Sequence, residues 1–150
     1  MPLIPGRVKV YWLKSLRYAL MNKVKIFVYG TLKSGGRFDK KILQENRLST
    51  QKAVLKDAAL YDFGAYPGLK LGHSSLKVHG EIHIYKNRDK VLQVMDYIEG
   101  YSGDLKDSLF VRLENYVYNQ EKGIREKAFI YEFNPSVQDS NAALIEKGVW

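Results

Sequence analysis

Lys23-Val24-Lys25-Ile26-Phe27-Val28-Tyr29 puts Val24, Ile26 and Val28 on one side of an extended chain, with Lys23, Lys25 and Phe27 on the other, and stops at Gly30. A period of two held over this length is the signature of a strand and is incompatible with a helix. β-Branched and aromatic residues mark four further strands, at about Lys52 to Tyr61, Val78 to Tyr85, Leu109 to Val117 and Glu126 to Phe133.

Helical signals are fewer. Phe38 to Asn46 reads as a short helix with Asp39 near its start. Asn87, as N-cap, leads into a period of 3.6 that places Val91, Val94, Met95 and Ile98 on one face. Turn chemistry falls at Asp62-Phe63-Gly64 and Tyr66-Pro67-Gly68, and Asn119 to Gly123 reads as a hairpin turn between the last two strands. Short, neighbouring strands with hairpin-length links predict an α+β domain. Its sheet is expected to be mostly antiparallel and to curl into a small β-barrel flanked by two or three helices.

With 150 residues, 45% hydrophobic and 27% charged, the chain is long enough for one real core and too short for two. No apolar run reaches the roughly 20 residues of a membrane-spanning helix, so integral membrane association is not expected. With no cysteine, a disulfide framework, a thiolate nucleophile and a cysteine-ligated metal are excluded, and a reducing, cytoplasmic location is the natural expectation. The net charge of +8 and pI near 9.5 suggest nucleic acid only if the charge belongs to the folded body. It does not: residues 1–38 hold Arg7, Lys9, Lys14, Arg17, Lys23, Lys25, Lys33 and Arg37 with no acid, and the remainder is balanced. We therefore expect no nucleic-acid partner.

Residues 1–20 have two readings. Tyr11, Trp12, Leu13, Leu16, Tyr18 and Leu20, with Lys14 and Arg17, would suit a short basic amphipathic helix at a membrane surface or in a transit peptide. Pro2, Pro5 and the position of Met21 just ahead of the first strand favour an appendage or misassigned start, disordered or not native, with a single domain over 21–150. The stretch is too short and charged for a secretory signal, and it lacks a small-residue cleavage site.

Few patterns offer chemistry. Gly30 and Gly35 match the spacing of a phosphate loop, but Gly36-Arg37 replaces the lysine and hydroxyl that such a loop needs, leaving a tight turn whose N–H groups could hold a carboxylate or oxyanion. His79, Glu81 and His83 alternate along one face of a strand and could form a metal site for a hydrolase. A solvated polar face opposite Val78, Ile82 and Ile84 explains them without a metal, and is preferred. Gly-x-Ser-x-Gly is absent. Asp96-Tyr97-Ile98-Glu99-Gly100 ends a helix on an acid, where the macrodipole disfavours negative charge and raises a carboxyl pKa.

Taken in order, Phe27-Val28-Tyr29-Gly30-Thr31-Leu32-Lys33, Tyr66-Pro67-Gly68-Leu69, Val78-His79-Gly80-Glu81-Ile82, Met95-Asp96-Tyr97-Ile98-Glu99-Gly100-Tyr101 and Phe110-Val111-Arg112 resemble the gamma-glutamyl cyclotransferase-like superfamily. Short bacterial members and gamma-glutamylamine cyclotransferase look most similar, and the last residues, Leu144 to Trp150, resemble the bacterial ending. The resemblance covers about 23–150. It implies a small barrel with a pocket at its mouth and no metal or organic cofactor. It also implies a substrate-binding loop at Tyr29, Gly30, Thr31 and Leu32, and a catalytic glutamate at Glu99. Phe110 departs from a common tyrosine, Met95 from a common leucine, and the loop from Tyr101 to Leu109 is long and charged.

The implied reaction is attack of a substrate's own α-amine on its γ-carbonyl, giving 5-oxoproline and a free amine. Shape supplies most of such a reaction, and one carboxylate serves as base and then acid. Glu81 and Arg112 read as structural or pocket-lining. The expected partner is a small γ-glutamyl substrate, and the expected state a monomer or weak homodimer. A non-catalytic binding module using the same pocket is the alternative.

Overall fold

The computed structural model describes residues 13–19, 21–30, 40–137 and 141–150. In chain order they form β1 (Val24–Val28), α1 (Lys41–Asn46), β2 (Arg47–Lys56), β3 (Ala58–Asp62), β4 (Pro67–Leu71), β5 (Lys77–Tyr85), α2 (Arg88–Glu99), β6 (Phe110–Asn119), β7 (Ile124–Phe133) and β8 (Ala143–Leu144). Antiparallel pairing in the order β1-β5-β2-β6-β7 is closed into a five-stranded barrel by a parallel contact of Ile26 with Phe129. β4 joins β7 in parallel at Leu69 and Glu132 and carries β3 and β8 beyond it. The α+β class and the mostly antiparallel barrel are as the strand pattern predicts.

The alternation of the strands divides apolar side chains between two cores. Phe27, Leu55, Val78, Ile82, Val117, Ala128 and Ile130 fill the barrel. Val24, Ile26, Val28, Tyr85, Tyr131 and Phe133 face outward and pack with Leu43 of α1 and Val91, Leu92 and Met95 of α2. Both faces of β1 are therefore covered, and α2 lies across the barrel with its apolar stripe inward.

Four local expectations are corrected. The strand from Lys52 to Tyr61 is two strands, because Asp57 takes a left-handed conformation (φ 56) between β2 and β3. Pro67 and Gly68 open β4 instead of making a turn; proline is tolerated at the first residue of a strand. Asn87 stands at the N-cap of α2 but is left-handed and makes no side-chain cap; its Nδ2 donates instead to Asn46 Oδ1 at 2.6 Å, tying α2 to α1. The first helix is shorter than expected, and Phe38 and Asp39 lie outside the described residues. The hairpin turn stands as expected, with Asn119 Oδ1 accepting the N–H groups of Glu121 and Lys122.

Residues 13–19 are helical with every side chain exposed, while 1–12 and 20, on which the rest of the leader reading falls, lie outside the described residues. Among the described residues no helix is long and apolar enough to cross a membrane.

Candidate active site

One edge of β7 is shared by two strands, β1 pairing at Phe129 and β4 at Glu132. β1 ends at Val28, and the next side chain, Tyr29, drops into the fork between them. Its buried hydroxyl donates to the Tyr131 carbonyl at 2.6 Å and accepts the Leu69 N–H at 3.3 Å. A gap in the ladder would leave both backbone groups without partners; a phenol fills it. Burial, reinforced by the nearby Glu99 charge, pushes the Tyr29 pKa well up, so the hydroxyl keeps its proton.

A cavity of about 210 Å³ opens beside this fork. Its walls are the end of β1 through Gly30, Tyr66 and Pro67 at the start of β4, the last turn of α2, Leu109 and Phe110 entering β6, and Tyr131 of β7. Gly30 is required by the wall itself, since a Cβ there would meet the Pro67 ring at 2.7 Å. Of the four residues expected in a substrate loop, Tyr29 and Gly30 line the cavity; Thr31 and Leu32 lie outside the described residues.

Glu99 reaches the cavity because of how α2 stops. Gly100 adopts a left-handed conformation (φ 67), and the Tyr101 N–H returns to the Asp96 carbonyl at 2.8 Å, a Schellman-type ending. The residue is only half-buried, yet protein surrounds its carboxylate closely. That desolvation pushes the pKa up from 4.5 to about 7, in the same sense as the helix C-terminus. Neither a hydrogen-bond partner nor an ion-pair partner for this carboxylate is found among the described residues.

One turn earlier on α2, Asp96 is fully engaged. Oδ1 accepts the Tyr131 hydroxyl and Oδ2 accepts Arg112 Nη1, each at 2.6 Å. Burial, then Asp96 as acceptor and as charge, drives the Tyr131 phenol pKa far upward. The long loop after α2 is stapled: Ser108 Oγ donates to the Asp104 carbonyl at 2.7 Å, and buried Asn134 donates to the carbonyls of Leu105 and Ser108. Sequence reading leaves Tyr131, Ser108 and Asn134 unmarked. The available signal for Tyr131 is its place in the alternating aromatic row Phe129, Tyr131, Phe133.

His79, Glu81 and His83 do not form the expected solvated face. His83 is fully buried because β5 is covered on both sides; Nδ1 lies 2.8 Å from the Tyr85 hydroxyl and Nε2 2.9 Å from Glu81 Oε1. Among the described residues no group of three His, Cys, Asp or Glu is placed to hold a metal ion.

Comparisons with known proteins agree with this architecture. A Vibrio cholerae protein named "Putative gamma-glutamylcyclotransferase" is 36% identical over 99 residues, spanning 63% of this chain and 82% of that one. The fold is shared with ytfP from Escherichia coli (TM-score 0.59, 22% identity, 85% of this chain and 96% of that one). It is also shared with a structure named gamma-glutamyl cyclotransferase (TM-score 0.52, 16% identity, 81% of this chain and 70% of that one). The family model described as Gamma-glutamyl cyclotransferase, AIG2-like matches residues 26–150, from the middle of β1 through the cavity walls to the last residue, and the chain belongs to that family.

Proposed function

We propose that this protein is a γ-glutamyl cyclotransferase in which Glu99 is the proton carrier. The observation that carries the reading is the Glu99 carboxylate, set in the wall of the cavity and raised by burial to a pKa of about 7. Near neutral pH such a group is divided between its two protonation states, the condition under which one carboxylate both accepts and returns a proton.

In the reaction, Glu99 takes a proton from the substrate α-ammonium, and the freed amine attacks the γ-carbonyl carbon, forming the five-membered ring. The C–N bond to the leaving amine then breaks as Glu99 returns its proton to that nitrogen, and the second proton of the attacking nitrogen passes by the same carboxylate to the released amine, which departs as an ammonium and leaves a neutral lactam and an ionised Glu99. Atoms and charge balance with no redox partner, metal or organic cofactor. Because the nucleophile belongs to the substrate, holding it folded against the γ-carbonyl can supply about 7–11 kcal/mol of the barrier in favourable cases. The cavity between Phe110, Tyr66 and the end of β1 is suited to that confinement. Backbone N–H groups of Gly30, Thr31 and Leu32 are assigned to the substrate carboxylate or the developing oxyanion. A cytoplasmic setting fits a chain with no cysteine.

The test is incubation of wild-type protein and Glu99→Gln with γ-glutamyl amino acids, γ-glutamyl-ε-lysine and glutathione, following 5-oxoproline by mass spectrometry. Product from the wild type that falls at least about 100-fold in the variant supports the reading. Equal product from both removes Glu99 from the chemistry. No product from any substrate, with binding detected by thermal shift, makes the cavity a binding site instead.

A further inference from the structure

Glu99 has to be held, and its own carboxylate engages nothing among the described residues. The restraint comes from Asp96, three residues earlier on the same face of α2. Both Asp96 oxygens are committed, to Tyr131 and to Arg112, at 2.6 Å each. Those two residues sit directly opposite one another across the β6–β7 ladder, so the carboxylate is gripped by a rigid cross-strand pair. The Arg112 guanidinium also lies over the Tyr101 ring at 5.4 Å and the Phe129 ring at 5.2 Å. Since the Tyr101 N–H bonds the Asp96 carbonyl, Arg112 clamps the last turn of α2 and the turn that follows it. From Tyr131 the chain of contacts continues through its carbonyl to Tyr29 at the fork.

We propose that Asp96, with Tyr131 and Arg112, is the positioning unit for the active site: it fixes the last turn of α2 to the barrel wall and so holds Glu99 and the Tyr131 ring across one cavity. This rests on the reading of Glu99 as proton carrier. None of Asp96, Arg112 or the Tyr131 hydroxyl is assigned contact with substrate. Asp96 and Arg112 are each between a fifth and a quarter exposed, so water screens the ion pair, and geometry is its main product. The titratable groups that line the cavity with Glu99 are Tyr29 just after β1, Tyr66 ahead of β4, Tyr97 on α2 and Tyr131 from β7, with Asp96 and Arg112 behind Tyr131. All four are phenols, and burial is what raises the Glu99 pKa, so loosening α2 admits water to it.

The experiment compares Asp96→Asn, Tyr131→Phe, their double variant and Arg112→Lys with the wild type. Two readouts are taken on folded protein: turnover against pH, and the Glu99 carboxyl titration followed directly by carbon-detected NMR. Displacement of a catalytic group by about 1 Å can cost about 100-fold, so kcat should fall roughly 10- to 100-fold in Asp96→Asn while KM stays within about threefold. The Glu99 titration should move down by at least about half a pH unit, the double variant should be no worse than the poorer single one, and Arg112→Lys should retain part of the activity. An unmoved Glu99 titration in folded Asp96→Asn overturns the proposal, as does additive loss in the double variant. The NMR titration needs no substrate: a shift in Glu99 without any turnover in the wild type upholds the positioning unit and fails the cyclotransferase reading alone.

Discussion

The Tyr29 hydroxyl and the Tyr131 carbonyl oxygen meet at 2.6 Å across 102 residues of sequence, where β1 and β4 part company on the edge of β7. The same hydroxyl accepts the Leu69 N–H, so one side chain satisfies both lips of the fork. Tyr29→Phe keeps the ring in place and removes both partners. Leaving buried backbone groups unpaired costs about 1–3 kcal/mol, and we expect that loss in urea unfolding at neutral pH. A variant as stable as the wild type, but with raised KM, would instead assign the hydroxyl to substrate.

Glu99 links the site to pH-dependent stability. Unfolded, its carboxyl ionises near 4.5; folded, near 7. Between those values the native state keeps a proton that the unfolded chain has released. Its contribution is therefore fully present below 4.5 and is lost as pH rises through 7. At about 1.4 kcal/mol per pH unit the loss is at most about 3–4 kcal/mol. Glu99→Gln has no such proton, so it should gain on the wild type as pH is raised, being the more stable of the two near pH 8.5. Urea unfolding of both proteins at about pH 4.5 and 8.5 measures this. A difference that does not change with pH would mean that Glu99 titrates in the native state like a solvated acid.

What the sequence reveals follows from how local the physics is. The period of two in β1 and the period of 3.6 in α2 are set by neighbours in the chain, and both elements stand close to where the pattern puts them. The position of Glu99 at the end of α2 is legible for a related reason, since the glycine that ends a helix fixes which residue occupies its last turn, whereas its proposed role comes from the family resemblance and not from any local pattern. The role of Tyr131 is not local. It depends on β7 lying opposite Arg112 on one side and on α2 arriving from an earlier part of the chain on the other. Pro67 misleads because the same proline chemistry that opens turns is also permitted at a strand's first residue, and only pairing with Asp62 decides between them. His83 misleads because alternation along β5 indicates which face it occupies and says nothing of what covers that face.

His83 also gives a direct test of the metal reading. Its Nε2 lies 2.9 Å from Glu81 and its Nδ1 2.8 Å from the Tyr85 hydroxyl, so both ring nitrogens already have protein partners in a fully buried position. A metal ligand needs one nitrogen lone pair aimed at the ion, and here binding would first break one of these contacts inside the core. We expect protein dialysed against a chelator to keep its melting temperature and any 5-oxoproline production, and added zinc to raise neither. Zinc retained at one equivalent through purification, with loss of stability on its removal, would show that β5 rearranges to bind it and would restore a metal-dependent role to His79, Glu81 and His83.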